Sequence, residues 1–152
     1  MTSMDITFPG GLAVAAHYGG FTVPTDQPLA AGGRGLALSP FDLLFASLGT
    51  CAGLYALRFC QQRNLDTAGL ALTLATEREG GTGRVSTVRL ELRLPRAFPE
   101  KYRDAILRAV DQCAVKKLIQ DPPRFELVAV EATHAPVPPL PDGELVAPGR
   151  MP

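Results

Sequence analysis

Three cysteines, Cys51, Cys60 and Cys113, are the residues of this 152-residue chain whose type and placement offer reactive chemistry. A thiolate is a nucleophile, and its oxidation runs through a sulfenic acid to a disulfide. None of the three belongs to a Cys-x-x-Cys pair, and His17 and His134 stand far apart. Zinc-ligand spacing is therefore missing, and both histidines read as ordinary strand residues. Cys51 has the most pointed setting, Gly49-Thr50-Cys51-Ala52-Gly53. Each glycine inside a helix costs ~1 kcal/mol relative to alanine. The expected gain is close approach to the backbone by another helix, a substrate, or both.

The element that carries Cys51 opens clearly. Ser39 can cap a helix, Pro40 suits its first position, and Ser39-x-x-Asp42 resembles a capping box. The helix should end near Arg63, with Asn64 as a left-handed cap. At about 100° per residue, Leu44, Leu48, Cys51 and Tyr55 share one stripe. Cys60 lies on the other side of that helix and reads as a core cysteine. Cys113 ends the stripe Tyr102, Ile106, Ala109, Val110 of a second helix and should point inward. A disulfide to Cys51 is allowed if the two Cα atoms come within ~7 Å. On spacing alone, two unrelated core cysteines are the plainer reading.

The other elements are mostly strands. Asp5 to Phe8, Leu12 to Tyr18 and Phe21 to Val23 are short strands separated by glycine turns. Pro24 to Leu38 is a loop holding Arg34 between glycines. Leu70, Leu72 and Leu74, then Val88, Leu90, Leu92 and Leu94, alternate with polar residues about a Gly-rich turn, which predicts a long antiparallel hairpin. A short third helix is expected over Val115 to Gln120 and a last strand over Phe125 to Ala132. The order gives an α+β fold with a mostly antiparallel sheet around a long buried central helix carrying Cys51. That helix is apolar on nearly all sides, and short sheets cannot cover it, so a twofold homodimer is expected.

Composition narrows the partners. Fifteen Lys and Arg balance fifteen Asp and Glu, without blocks of one sign, which argues against a nucleic-acid surface. The stretch Phe41 to Cys60 has the length of a membrane span but holds Asp42, Arg58, Ser47, Thr50 and two glycines. A helix inside a core, with no membrane partner, is the better reading. No signal peptide pattern opens the chain, so a cytoplasmic location is expected, where thiols stay reduced.

Pro40-x-Asp42-Leu43-Leu44-x-Ala46-x-x-Gly49-Thr50-Cys51, followed by Cys113-x-Val115-x-Lys117, resembles the OsmC/Ohr family of thiol peroxidases. The resemblance covers about Asp5 to Thr133. It implies an OsmC-like domain over 1–134 and an intertwined homodimer reducing organic hydroperoxides without a cofactor; the prolines from Ala135 onward mark a Pro-rich tail over 135–152. By that likeness Cys51 is the peroxidatic residue and Cys113 the resolving one, with an external dithiol as reductant. Leu44, Leu48, Tyr55 and Phe41 would form an apolar wall for the substrate.

The family places an Arg before the helix and a Glu near its start. Here Arg34 is the first arginine of the chain, and Asp42 stands in the acidic position, half a turn from Cys51 around the helix. Lowering a thiol pKa by about three units needs ~4 kcal/mol in favour of the anion. One guanidinium at ~4 Å in an effective dielectric near 20 supplies about that much. The dipole of the helix that holds Cys51 cannot, because the residue lies about three turns in. Arg34 is thus the expected source of positive charge and Asp42 its acidic partner or simply the helix cap. Two further readings compete with the peroxidase. One is a non-catalytic OsmC-like dimer binding a small apolar ligand or partner; the other is a hot-dog-type acyl-thioester hydrolase, which leaves both cysteines unexplained.

Overall fold

The computed structural model describes residues 3–131. His134 and the tail 135–152 lie outside them. The described residues divide into two compact units, one made of residues 3–43 and 126–131, the other of residues 44–125.

In the first unit, β1 (Asp5–Gly10), β2 (Ala13–Tyr18) and β3 (Phe21–Thr25) form an antiparallel meander in that order. The sequence reading anticipated all three strands. The connections are short because Gly11 at φ 58° and Gly19 and Gly20 at φ 56° and 80° supply the left-handed turn conformations that other residues resist. His17 sits mid-sheet, its Nε2 2.9 Å from Thr7 Oγ1 and its Nδ1 3.1 Å from Thr22 Oγ1. It joins all three strands as an ordinary strand residue would.

The loop after β3 is organised by Asp26, which the composition-based reading passed over. Its side chain is buried, and its carboxylate accepts N–H bonds from Gln27 at 2.8 Å, Arg34 at 3.1 Å and Leu36 at 3.2 Å. The loop closes so tightly that a Cβ on Gly33 would lie 1.9 Å from the Gln27 carbonyl oxygen. Only glycine fits there.

Helix α1 (Pro40–Gln61) starts as the capping box predicts. Asp42 Oδ2 accepts from the Ser39 hydroxyl at 2.6 Å and from the Ser39 N–H at 3.3 Å, while the Asp42 N–H donates to Ser39 Oγ at 3.1 Å. Its end is a Schellman motif: Leu65 N–H bonds Cys60 O, Asn64 N–H bonds Gln61 O, and Asn64 takes φ 51°. The expected left-handed Asn64 is present. Among the described residues α1 is long and apolar enough, by length and composition, to cross a membrane. Here it supplies the central element of the second unit's core.

That core gathers Leu48, Ala52, Ala56, Phe59 and Cys60 of α1 with Phe98, Ile106, Val110 and Cys113. Strands β4 (Ala71–Arg78) and β5 (Val85–Arg93) form the predicted antiparallel hairpin, and Leu72, Leu74, Leu90 and Leu92 pack against the core. Helix α2 (Arg103–Val110) follows a short 3-10 turn over Glu100–Tyr102, and α3 (Ala114–Gln120) follows α2. The result is α+β with antiparallel sheets and three helices.

Two expectations change. Cys113 does not end the second helix; α2 stops at Val110, and Cys113 is the residue that caps α3, with φ −49° and ψ 120°. The strand expected from Phe125 is absent over the described residues 125–131, which form no strand.

Candidate functional site

Cys51 and Cys113 meet inside the second unit. Cys51 is half-buried on the face of α1 that turns to α3, and Cys113 is fully buried. Both are free thiols, and their sulfurs are within hydrogen-bonding reach of each other. The thiol hydrogen of Cys113 has two acceptors, the Cys51 sulfur and the Leu48 carbonyl oxygen at 3.9 Å.

The local fold explains the meeting. Cys113 adopts an extended conformation where α2 has ended and α3 has not begun. The first N–H groups of a helix have no partner inside it and point along its axis. Those of Ala114 and Val115 are directed at the Cys51 sulfur. The Cys51 thiol is held below its ordinary pKa first by the Val115 N–H, against the opposing effect of burial, and then by the Cys113 thiol and the Ala114 N–H. Cys113 goes the other way. Burial pushes its pKa up, and the neighbouring Cys51 adds to that, against smaller help from the Lys116 and Val115 amides. Of the two thiols, the more exposed one gives up its proton more readily. Cys60 is buried and pushed up by burial despite the charge of Arg63, as a core cysteine should be.

The anion at Cys51 is thus favoured by backbone amides, where sequence reasoning required a guanidinium. The dipole of α1 was rightly set aside, but the start of a different helix does the work. The legible signal was Cys113 immediately before an apolar, lysine-bearing helical run, a position whose following amides are unsatisfied.

The remaining predicted residues fall in several places. Arg34 is exposed in the first unit; its N–H bonds Asp26, and its charge helps hold the Asp26 carboxyl low. Asp42 is engaged in the capping box with Ser39. Phe41 is half-exposed at the start of α1. Leu44 and Leu48 line a largely apolar cleft of about 650 Å³ with Val85, Val88, Leu107 and Val110, and the paired Asp111 and Lys116 stand at its polar side. Tyr55 does not share that wall. It lines a second groove, with Arg58 and Arg108, so the single apolar surface expected from one helical stripe is divided. Among the described residues no group of three His, Cys, Asp or Glu side chains is placed to hold a metal ion.

A long central helix against an antiparallel hairpin, with one thiol on that helix and a second at the start of a short helix, defines a class of small dithiol α+β proteins. Residues 32–128 match the family model of OsmC-like protein, and the chain belongs to that family. Among solved structures, one described as an osmotic stress induced and detoxification response protein from Psychrobacter arcticus 273-4 is 26% identical, with a TM-score of 0.66 over 77% of this chain and 87% of that one. An OsmC-like protein from Mycoplasma pneumoniae shares the fold at 15% identity and TM-score 0.58, covering 78% of this chain and 88% of that one. A hypothetical protein from Aquifex aeolicus VF5 does so at 12% identity and TM-score 0.58, covering 80% and 89%. No curated protein matches the chain.

Proposed function

We propose that the protein is a thiol peroxidase that reduces organic hydroperoxides. The observation that carries this reading is the Cys51–Cys113 pair, in which a half-exposed thiol with a lowered pKa lies beside a buried one with a raised pKa. A redox pair needs that division: one sulfur ionised and reachable, the other held in reserve. OsmC-like membership, a family that includes peroxidases, supports the same conclusion.

The Cys51 thiolate attacks the distal oxygen of ROOH. The O–O bond breaks, Cys51 becomes a sulfenic acid, and RO⁻ leaves, taking a proton to become the alcohol. The Cys113 sulfur, losing its proton, then attacks the sulfenic sulfur; the S–O bond breaks, water departs and a Cys51–Cys113 disulfide forms. An external dithiol reduces it by exchange, becoming a disulfide itself. The alkyl part of the peroxide lies along the cleft of Leu44, Leu48, Leu107 and Val110, which favours apolar hydroperoxides over hydrogen peroxide. We place the reaction in the reducing cytoplasm, where three free cysteines persist.

The working form is a homodimer. Leu54 and Leu57 of α1 are exposed in one chain, and Gly53 has open space around it. A second copy covers them.

Intact-mass measurement with thiol counting after a small excess of cumene hydroperoxide tests the reading. The expected result is loss of two thiols and ~2 Da, abolished in Cys51→Ser. Three unreacted thiols in the wild-type protein overturn it.

A further inference from the structure

Between the last turns of α1 and α2 lies a groove of about 550 Å³ that the redox reading does not use. Its lining includes Arg58, Arg63 and Arg108 with Tyr55, Gln62 and Gln112, and no carboxylate. In a chain whose charges balance, three guanidiniums around one concavity are a local excess. The acidic residues of the same region do not neutralise them. Glu100 is bound to Arg103 at 2.6 Å, and Asp111 to Lys116. Asp104, one helical turn before Arg108, is not within ion-pair distance of it.

The arginines are also not equivalent. Arg63 is fixed: its guanidinium carbon sits 3.9 Å over the Phe59 ring, and its Nη1 donates to Phe59 O at 3.3 Å. Stacking leaves the other edge of the guanidinium fork open to a planar oxyanion. The side chains of Arg58 and Arg108 are exposed and make no hydrogen bond or ion pair among the described residues. Crowding like charges without an anion disfavours the empty groove through self-repulsion. Amide side chains of Gln62 and Gln112 add neutral donors, and Ala105, Ala109 and the Tyr55 ring give an apolar floor.

We propose that this groove binds a small organic polyanion, its phosphate or carboxylate groups held by Arg58, Arg63 and Arg108. The volume suits a small molecule, and bidentate guanidinium pairing suits either oxyanion. The proposal stands independently of peroxide turnover. Tyr55 is one turn beyond Cys51 and Gln112 immediately precedes Cys113, so an occupant lies beside the redox pair without touching it.

Calorimetric titration of the full chain at about 150 mM salt with inorganic pyrophosphate and, separately, citrate tests this. The expected result is saturable binding of at least one of them. Arg58→Gln and Arg108→Gln each weaken it about fivefold or more, and Arg89→Gln on β5 leaves it unchanged. Tighter pyrophosphate assigns a phosphate ligand; tighter citrate assigns a carboxylate one. Failure of both anions to saturate below about 10 mM, the strength expected of non-specific surface pairing, overturns the proposal. Equal affinity in wild type and both variants overturns it as well. In that case a lowered melting temperature in the variants would mark the arginines as helix-end residues complementing the C-terminal dipoles.

Discussion

Val115 directs its backbone N–H at the sulfur of Cys51, and this is the largest influence holding that thiol below its ordinary pKa. Main-chain donors cannot be lost by most side-chain substitutions. The activation of Cys51 is therefore built into where α3 begins, and it survives wherever Cys113 remains extended and the next residues turn helical.

Ala114→Pro tests the second amide that acts on Cys51, that of Ala114. Proline is favoured at the first position of a helix, and the residue before it must be extended, as Cys113 already is. The substitution removes one N–H directed at Cys51 while leaving the fold in place. The Ala114 amide is the smallest of the influences that lower the Cys51 pKa, so its removal should raise that pKa while the Val115 amide still acts. The pH dependence of Cys51 alkylation, read by mass, should move upward accordingly. An unmoved profile would show that the Ala114 amide does not act on the sulfur.

The opposed shifts of the two thiols fix an order of reaction. As pH rises from acid, Cys51, its pKa lowered, ionises before Cys113, whose pKa is raised. A limiting amount of iodoacetamide at neutral pH should therefore label Cys51 in preference to Cys113 and Cys60. Peptide mapping that finds the label mainly on Cys113 would reverse the roles assigned to the pair.

Much of this was legible in the residues. Alternation of leucines marked the hairpin, and Ser39, Pro40 and Asp42 marked the helix start, because capping and periodicity are local properties. The meeting of Cys51 and Cys113 was read from a stripe and a family likeness, and the structure brings the sulfurs together by another route. Cys113 faces Cys51 because the helix breaks before it. A helix break is decided by packing of Ile106, Val110 and Cys113 into the core, and side-chain spacing does not show it. The donors themselves are backbone groups, which no residue type announces. Asp26 was hidden for the same reason: its partners are three amides in a loop.

Asp26 carries a pH dependence of its own. Burial pushes its carboxyl up, but the N–H groups of Gln27, Leu36 and Arg34 and the Arg34 charge outweigh that and leave it below the ordinary carboxylate value. A folded pKa below the unfolded one gives stability that is complete above the ordinary carboxylate range and fades as pH falls through the folded value. Asp26→Asn should lower the melting temperature at neutral pH and flatten its decline below pH ~4. Parallel acid-melting curves for variant and wild type would exclude this role.

Asp42 separates a helix cap from a catalytic acid. Its carboxylate is occupied by the Ser39 hydroxyl and N–H. Asp42→Ala should cost about 1 kcal/mol of stability, as loss of a cap does. Peroxide consumption per folded molecule should be unchanged. A fall in turnover by an order of magnitude with an unaltered melting temperature would return Asp42 to the chemistry.

The segment after Arg124 carries the last prediction. Phe125, Leu127, Val128 and Val130 are 81%, 98%, 85% and 86% exposed in one chain, and the run Phe-Glu-Leu-Val-Ala-Val-Glu has strand composition. Burying such side chains is worth ~1.5–3 kcal/mol each, so leaving four in water opposes the isolated monomer. In the proposed homodimer a sheet edge of the second copy would cover these side chains. Amides 126–130 should exchange rapidly with solvent deuterium at low protein concentration and become protected as the dimer forms. Leu127→Asp should shift sedimentation equilibrium toward monomer. If these amides exchange freely in a protein that sediments as a dimer, the interface lies elsewhere, and the exposed face of α1 becomes its location.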